Sequence, residues 1–417
     1  MRILTWFACF ALYPTILFGQ DKALYLNPDN APGAKASALF SEAELIPLQT
    51  SKASHFTNIQ NFLVTPYDFI FLDNASNAVF IFNKQGKFLY KYKKKRYRIQ
   101  SIHYAHEQNA LFIMASNKNY TIPKIKAQQM IERSAKNDFS KYISLELLHL
   151  DDAAGYTVEE LPVPRYALNW LYYFNGDYLS VNDRYNKYLK DTVAFHLNIV
   201  HDNKIIKSYF PFLNIPKLPT FYRDINLAIN PAFSDSSFLI QKQFDNTVYE
   251  LTPDSLYAKY KFVFTSDQTM PGDFQSTLFK NNIDFNAAVN KNNRVISGFY
   301  NMMEYKNLLF FSTITVSYQR KNFLFNSEDN KLYDLGKVST DSAVYSLPSK
   351  IFSSISEQDN GYVYTRISSA DLLREKDKLL SKNELLPEKI NQLLAKLNKF
   401  DNAIIIKLKV QPSIIQK

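Results

Sequence analysis

The chain has 417 residues, which is enough for one large repeat architecture or for two to three ordinary domains. Aromatic residues make up 15% of it, with 28 Tyr and 33 Phe, and this composition favours β-structure over a helical bundle. The formal net charge of +10 is moderate for this length and favours acidic partners only weakly.

The first twenty residues have the pattern of a secretory signal peptide. Arg2 supplies a positive start, residues 3–12 form an apolar core, and Gly19 is the small residue before a cleavage site at Gln20. The apolar part is too short for a spanning helix, and no later run reaches about 18 apolar residues. We therefore expect a protein exported to the periplasm or cell exterior, with residues 1–19 as its signal peptide.

Cys9 is the only cysteine, and it lies inside this signal segment. A lipoprotein cysteine would follow the apolar core, whereas residues 11–18 still lie beyond Cys9, so we expect no lipid anchor. The mature chain would contain no thiol, which excludes disulfide bonds and a cysteine nucleophile. Residues 20–38 contain Asn-Pro-Asp-Asn and Ala-Pro-Gly sequences, and we interpret them as a flexible leader.

Residues 67–92 predict three consecutive short strands. Apolar runs at 69–72, 78–82 and 88–92 are separated by an Asp73-Asn74 turn and by a Lys84-Gln85-Gly86 turn. Gly86 suits a turn that requires a positive φ, because glycine adopts that conformation without steric cost.

The same hairpin pattern recurs along the rest of the chain. Asn175-Gly176, between two apolar runs, is its strongest hairpin signal. A first strand is predicted at 44–49 and a last strand at 403–410. The strands predicted between these are 101–104, 110–115, 145–150, 156–161, 167–174, 178–181, 193–200, 205–210, 246–251, 256–264, 308–318, 323–325, 332–335 and 361–367, in addition to the three above.

The spacing of the outer turns predicts the number of repeats. Turns at Gly86, Ala154, Asp202, Pro253 and Glu328 recur about every 60 residues, so a body of roughly 375 residues divides into about six units. We predict an all-β, six-bladed β-propeller, with seven blades as the alternative.

We assign residues 39–411 to this single domain and 412–417 to a tail. The ring would be closed by pairing 44–49 with 403–410, since closure removes an exposed sheet edge.

Two helical regions interrupt this pattern. Residues 124–136 have apolar positions among charges and are predicted to form a helical insertion. A helical pair is predicted near 369–399: residues 368–371 open it with a capping-box pattern, and Ile390, Leu393, Leu394 and Leu397 share one face of the second helix.

The chain resembles a family of exported bacterial six-bladed β-propeller proteins, related in pattern to NHL-repeat propellers. Residues 69–91 (FIFLDNASNAVFIFNKQGKFLYK) are similar to its first hairpin, and residues 246–260 (NTVYELTPDSLYAKY) to a later one. Residues 401–409 are similar to its closing strand, with Ala403 in place of a proline. The resemblance implies a propeller fold and export, and most members of the family have no assigned activity.

The densest charged segment is the basic run, residues 91–98, which has six basic residues and two tyrosines. Such a segment can bind polyanions through charge and stacking, and in an exported protein acidic glycans or lipid phosphates are more plausible partners than nucleic acid. The other interpretation is a solvated strand end whose lysines discourage edge pairing. The ligand-binding candidates of this run are Lys93, Lys94, Lys95, Arg96, Tyr97 and Arg98.

Three further candidates lie between predicted strands, where the loops of a propeller surround its channel. They are Arg165, Arg184 and Arg223, each next to a tyrosine or an acidic residue, which suits a carboxylate or a sugar as well as an ordinary ion pair. His103 and His106 are close in sequence, but residues three apart on a strand point to opposite faces, so we predict no metal site.

The sequence contains no catalytic or cofactor-binding motif, and we predict no cofactor and no catalytic residues. Three functions remain open. The first is a non-enzymatic envelope protein, expected to be monomeric, that binds a peptide, an acidic glycan or another protein at its loop face or channel mouth. The second is a glycan lyase or hydrolase that uses channel carboxylates, and the third is a structural component of a surface assembly.

Overall fold

The computed structural model describes residues 22–118, 142–151, 155–164, 170–182, 195–212, 227–232, 236–271, 281–382 and 386–415. The predicted signal peptide and the predicted helix at 124–136 lie outside these residues. Two strands precede the first complete sheet, and a short helix, α1 (Ala36–Leu39), joins them. They are β1 (Lys22–Tyr25) and β2 (Phe40–Pro47).

The described strands form the six sheets of a β-propeller, as predicted. Blade 1 contains β3 (Ile59–Val64), β4 (Asp68–Asp73), β5 (Ala78–Asn83) and β6 (Phe88–Lys93). Blade 2 contains β7 (Tyr97–Ala105), β8 (Ala110–Asn117), β9 (Ile143–His149) and β10 (Thr157–Leu161). Blade 3 contains β11 (Trp170–Phe174), β12 (Asp177–Val181), β13 (Phe195–His201) and β14 (Lys204–Pro211).

The second half of the ring repeats this arrangement. Blade 4 contains β15 (Leu227–Pro231), β16 (Phe238–Lys242), β17 (Thr247–Leu251) and β18 (Leu256–Val263). Blade 5 contains β19 (Ile296–Tyr305), β20 (Leu308–Thr315), β21 (Arg320–Asn326) and β22 (Lys331–Asp334). Blade 6 contains β23 (Glu357–Asp359), β24 (Tyr362–Ile367) and β25 (Ile404–Val410), with β2 as its outer strand.

The first strand of each blade lies innermost and contributes to a central channel. Because neighbouring strands in a blade are antiparallel, each outer strand ends on the face where the next inner strand begins. We call this the link face; it carries the links between blades, such as 94–96 and 335–356. The opposite turn face carries the turns that end the inner strands, such as 65–67 and 360–361.

The central strands of the blades are buried on both sides, which explains their continuous apolar sequences. In β4 and β5 the side chains of Phe69, Phe71, Phe80 and Phe82 are fully buried. The ring of Phe71 stacks on that of Phe62 from the inner strand, with 4.9 Å between centroids. Aromatic side chains of this size fill the space between neighbouring blades, which accounts for the high Phe content.

The ring closes in blade 6 between the two ends of the chain. β2 pairs with β25 in an antiparallel register that runs from Phe40 opposite Val410 to Pro47 opposite Ile404. Gly86 of blade 1 contacts the end of this clasp: it has φ +81°, and a Cβ there would lie 2.2 Å from the carbonyl oxygen of Pro47. The sequence therefore needs glycine at this turn for two separate reasons, the backbone conformation and the close approach.

The segment expected to be a flexible leader is instead packed over its described part, residues 22–38. β1 adds a parallel fifth strand to blade 4 by pairing with β18, and Leu24 and Leu26 are buried there. Asp29 then forms ion pairs with Arg294 and Lys321. We call residues 22–37 the N-terminal strap. The turn residues within it only redirect the chain between blades, while its apolar residues anchor it.

Helices occupy links and insertions. α2 (Asn282–Lys291) lies in the link between blades 4 and 5, where the side chain of Asn281 caps it by accepting from the backbone N–H of Asp284 at 3.0 Å. Between β24 and β25 lie α3 (Ser369–Lys382) and α4 (Glu388–Lys396), which confirm the predicted helical pair. A last helix is α5 (Pro412–Ile415). Short 3-10 turns cover His106–Gln108, Leu335–Lys337, Ser342–Val344 and Ser349–Ser354.

Candidate functional site

The central channel contains a cavity of about 710 Å³ to which all six blades contribute. This volume falls in the range of small-molecule sites, about 300–1,000 Å³. Its wall mixes apolar side chains, such as Phe62 and Met302, with a set of polar ones. The polar residues of the wall are Gln60, Asn61, Thr65, His103, Tyr104, His106, Tyr172, Asn230, Asn301, Ser356, Glu357, Gln358, Asp359, Asn360 and Arg366.

Arg366 is a cation of the channel wall without a partner among the described residues. It lies near the end of β24, towards the link face, and its side chain is half-buried. Among the described residues it makes no hydrogen bond and no ion pair. Burial lowers the pKa of its guanidinium. A guanidinium has five N–H donors, so Arg366 presents unsatisfied positive charge to the cavity.

Glu357, on the inner strand β23, is an acidic residue of the same cavity wall. It is partly buried and borders the cavity. Burial raises the pKa of its carboxyl to about 8, although the Val64 N–H and Lys84 act against the shift. The backbone N–H of Val64 donates to its Oε2 at 3.4 Å. Glu357 is therefore mainly a neutral carboxylic acid at pH 7, able to donate a hydrogen bond.

A second carboxylate on the same strand is already neutralised. Asp359 forms an ion pair with Lys84 of blade 1 at 3.2 Å. The Lys84 ammonium also lies over the rings of Phe69 and Tyr364, at 5.1 and 5.0 Å from their centroids. Burial lowers the pKa of Lys84, and Asp359 opposes that shift. This group fixes the blade 6 to blade 1 contact at the turn face, and it adds no net charge to the channel.

The opposite wall carries a histidine and a tyrosine in contact. The ring of His103 lies 4.2 Å from that of Tyr172, centroid to centroid. Burial lowers the pKa of His103 to about 4 and raises that of Tyr172 to about 12, so both are neutral at pH 7. Among residues 22–118 and the other described ranges, no three His, Cys, Asp or Glu side chains are placed to hold a metal ion.

Two amides complete the polar lining. The Oδ1 of Asn61 and the Nδ2 of Asn230 are buried, and neither has a hydrogen-bond partner within the described part of the chain. The other amide atom of Asn230 accepts from the backbone N–H of Met302 at 3.3 Å, which fixes its orientation. One unpaired acceptor and one unpaired donor are thus available near the cavity, and buried polar groups without partners are uncommon in native proteins.

The basic run lies at the link between blades 1 and 2, outside the channel wall, and its members differ in environment. Lys93, Lys95, Arg96 and Arg98 are exposed and make no side-chain hydrogen bond or ion pair to described residues. Lys94 differs: its ammonium pairs with the buried carboxylate of Glu146 and donates to Ser144 Oγ at 2.6 Å.

Tyr97 also has a structural role. Its ring lies under the Lys94 ammonium, at 4.9 Å, so that face is covered and does not offer a stacking surface. The backbone of the run is held by Asn77, whose side chain donates to the Tyr97 carbonyl at 2.8 Å and accepts from the Ile99 N–H at 2.8 Å. The exposed cations of the run are therefore four, on a backbone that is well fixed.

The other predicted ligand-binding residues, Arg165, Arg184 and Arg223, lie outside the described residues. The sequence interpretation did not single out Arg366 or Glu357. A signal for Arg366 existed, since it is a charged residue inside the otherwise apolar strand predicted at 361–367. Glu357 had none, because the three-residue strand β23 is too short to show a period.

The comparisons with known proteins agree with this fold. Residues 21–95 match the model of family DUF5128, described as a 6-bladed beta-propeller. No protein with a curated description matches the chain by sequence. No helix in the described ranges is long and apolar enough to span a membrane.

Solved structures extend the likeness to most of the chain. A protein of Bacteroides fragilis described as exported is 16% identical, with a TM-score of 0.62 over 94% of this chain and all of its own. A DUF4221 protein of Bacteroides vulgatus is 9% identical, with a TM-score of 0.46 over 89% of this chain and 98% of its own. An inactive virginiamycin B lyase of Staphylococcus aureus is 12% identical, with a TM-score of 0.38 over 89% and 100%. At these identities the likeness concerns the fold, and the family resemblance inferred from the sequence is confirmed at that level.

Proposed function

We propose that this protein is an exported, non-enzymatic binding protein of the cell envelope that holds a small anionic ligand in its central channel. The observation that carries this proposal is Arg366, a half-buried guanidinium on the wall of a cavity of about 710 Å³, with no partner in the part of the chain that the structure describes. The volume of the cavity suits a small molecule, and the cation favours a negative charge on it.

The energetics of Arg366 support a ligand. Removing a cation from bulk water costs free energy unless an opposite charge or good acceptors compensate. Cationic side chains with a structural role normally recover this cost by pairing with a carboxylate of the same protein, as Lys84 does with Asp359. At Arg366 no described residue does so, and an anion from solution would form charge-assisted, bidentate hydrogen bonds with it.

The exposed part of the basic run supports the approach of such a ligand. Lys93, Lys95, Arg96 and Arg98 lie at the link face, the end of the channel towards which Arg366 is placed. Unpaired surface cations raise the local concentration of anions and their association rate, and salt screens this effect. We assign these four residues to steering and Arg366 to binding.

Export is part of the proposal and rests on two observations. The first twenty residues have the sequence pattern of a signal peptide. The structurally similar Bacteroides fragilis protein is described as exported.

A second candidate function, a glycan lyase or hydrolase, is favoured by Glu357. It is a carboxylic acid held neutral beside a cavity, which is the state required of a general acid. Asp359 lies two residues further along the strand and on the same face. Because Asp359 is engaged by Lys84, it is less suited to act as base or nucleophile, and we therefore place binding first.

The test is ligand binding with a matched pair of variants. Calorimetry would measure a panel of small anions and their neutral analogues against the mature protein, Arg366→Met and Arg98→Met. We expect at least one anion to bind the mature protein but not Arg366→Met. The control Arg98→Met should still bind this anion, with a slower, salt-dependent association. An anion that binds both variants equally would refute the channel as the site. Turnover of a glycan that Glu357→Gln abolishes would establish the second function instead.

A further inference from the structure

Arg366 and Glu357 lie next to each other on one face of blade 6. Glu357 is the partner of Tyr364 in the antiparallel pair β23–β24, and Arg366 follows Tyr364 by two positions. Residues opposite each other, and residues two apart, share a face of the sheet. Glu357 and Arg366 are therefore diagonal neighbours, with Cα atoms roughly 7–8 Å apart, and one small molecule can contact both.

We infer that the channel ligand is a small monocarboxylate whose carboxylate binds Arg366 and whose adjacent carbonyl, hydroxyl or ether oxygen accepts a hydrogen bond from Glu357. This inference rests on the proposed function and specifies the ligand for the same cavity.

The charges around the cavity indicate a single negative charge on the ligand. Arg366 contributes one positive charge, whereas Lys84 and Asp359 neutralise each other. His103 across the channel is neutral at pH 7, because burial holds its pKa near 4. A carboxylate balances the remaining charge, whereas a phosphate monoester, with a charge of about −1.5 to −2, would exceed it. The site thus favours a carboxylate over a phosphate.

The hydrogen bonds of Glu357 indicate what lies beside that carboxylate. Val64 N–H donates to Oε2, and within the described part of the chain Glu357 makes no other hydrogen bond. Glu357 borders the cavity, so its protonated carboxyl, which has no acceptor among the described residues, can donate a hydrogen bond to a ligand there. A donor at this point selects ligands with an acceptor oxygen near the carboxylate, as uronic acids and acylated amino acids have.

The same residue limits the pH range of binding. As pH rises through about 8, Glu357 becomes a carboxylate, loses its donor and repels the ligand. The groups that act on it are the Val64 N–H and Lys84, which is paired with Asp359. Arg366 is its neighbour on the same face of the sheet, while His103, His106 and Tyr172 line the channel elsewhere. A ligand carboxylate bound at Arg366 adds to the repulsion, so affinity should fall above pH 8.

The experiment compares defined probes by calorimetry at pH 6.5 and pH 9.5. Glucuronate, glucose and glucose 6-phosphate form the sugar series; N-acetylalanine and N-acetylalaninamide form the amino-acid series. We expect either glucuronate to bind at least tenfold more tightly than glucose and glucose 6-phosphate, or N-acetylalanine to bind at least tenfold more tightly than N-acetylalaninamide. The series that shows this preference identifies the class of ligand. The affinity of the preferred carboxylate should fall at least tenfold at pH 9.5.

Glu357→Gln provides the matched variant, because its amide keeps a donor but does not titrate. Whatever its affinity at pH 6.5, this variant should lose the difference in affinity between pH 6.5 and pH 9.5. Tighter binding of the phosphate, a pH dependence that persists in Glu357→Gln, or no binding of either carboxylate at millimolar concentration would overturn the inference. The proposed function would survive these results if another anion binds with a loss in Arg366→Met. The proposed function itself would be refuted if Asn301→Trp, which places a bulky side chain in the channel, leaves the binding of that anion unchanged.

Discussion

The side-chain amide of Asn402 donates to the carbonyl oxygen of Gln49 at 2.9 Å, although 353 positions separate the two residues in the chain. Its Nδ2 also donates to the Ser54 carbonyl at 2.9 Å, and its Oδ1 accepts from the Phe56 N–H at 3.2 Å. Asn402 lies just before β25 and is 3% exposed. One buried amide therefore joins the closing strand to the link that enters blade 1.

Asn402→Ala should destabilise the fold by about 2–4 kcal/mol, because it leaves the Ser54 carbonyl and the Phe56 N–H without partners in a buried site. It also removes one of the two donors to the Gln49 carbonyl, the other being the Ser54 hydroxyl. Urea unfolding should show a lower midpoint with an unchanged m-value. Asn30→Ala, at an exposed turn position, is the control and should stay within about 0.5 kcal/mol. Equal midpoints for the two variants would contradict the role of Asn402 in closure.

Lys94 and Lys95 are adjacent, yet their substitution should have different effects. Lys94→Met leaves the 5%-exposed carboxylate of Glu146 without its cation and should cost about 3 kcal/mol. Lys95→Met removes a solvated charge and should change stability by less than about 0.5 kcal/mol. Chemical unfolding of both variants at pH 7 measures the difference, and a Lys94→Met protein as stable as Lys95→Met would be inconsistent with this ion pair.

Arg366→Met should make the ligand-free protein more stable, by about 1 kcal/mol, because it replaces an uncompensated, half-buried cation with an apolar side chain of similar length. Arg98→Met, at the exposed link, should be neutral. Thermal unfolding without ligand checks both. A clear loss of stability in Arg366→Met would mean that the guanidinium has a structural role that its described contacts do not reveal.

Two histidines with lowered pKa values, His196 in the core and His103 on the cavity wall, should make the fold sensitive to acid. Burial lowers the pKa of His103 and of His196 to about 4, below the unfolded value of 6.5. Between pH 6.5 and 4 the unfolded chain therefore binds more protons, so stability is complete above 6.5 and falls as pH approaches 4. Each histidine should account for up to about 3 kcal/mol of that loss, at 1.4 kcal/mol per pKa unit.

Unfolding free energies of His103→Leu and His196→Leu at pH 7 and pH 4.5 measure this effect. Each variant should show a smaller fall between the two pH values than the parent protein, whatever its absolute stability. The exposed His55 provides the control substitution, His55→Gln, which should keep the parental difference. Parallel pH profiles for all four proteins would contradict the assignment.

The N-terminal strap offers a test within a single strand. Leu24→Ala should cost about 2–4 kcal/mol because Leu24 is 1% exposed against blade 4, whereas Tyr25→Ala, at a position 76% exposed, should cost less than about 0.5 kcal/mol. Urea midpoints of the two variants provide the measurement. Similar midpoints would mean that the strap does not contribute to the stability of the ring.

Local signals in the sequence predicted most of the fold. The hairpins at Gly86 and at Asn175-Gly176 depend on neighbouring residues only, and both turns are present. The spacing of such turns was sufficient to count six blades. Inner strands were harder to recognise: β19 contains Ser297 and Asn301 and has two register shifts, so its sequence shows neither a strand period nor an apolar run.

Long-range contacts explain what the sequence could not show. The strap appeared to be a flexible leader because Leu24 acquires its partner, Phe262, only through β18, far along the chain. Lys94 looks the same as Lys95 in a basic run, and the structure alone places it next to Glu146. At the channel, Glu357 and Arg366 are nine positions apart, but their chemistry depends on the cavity that they share with distant inner strands.

Closure by the two ends of the chain also determines when this protein can fold. β2 is among the first strands to be synthesised, but its partner β25 is complete only once residue 410 has been added. Until then one blade has an open edge, and long-range pairings of this kind make folding slow. The ring therefore cannot close until residue 410 has left the ribosome. This order would suit the export proposed above, because a chain that crosses a membrane unfolded must not close its ring beforehand.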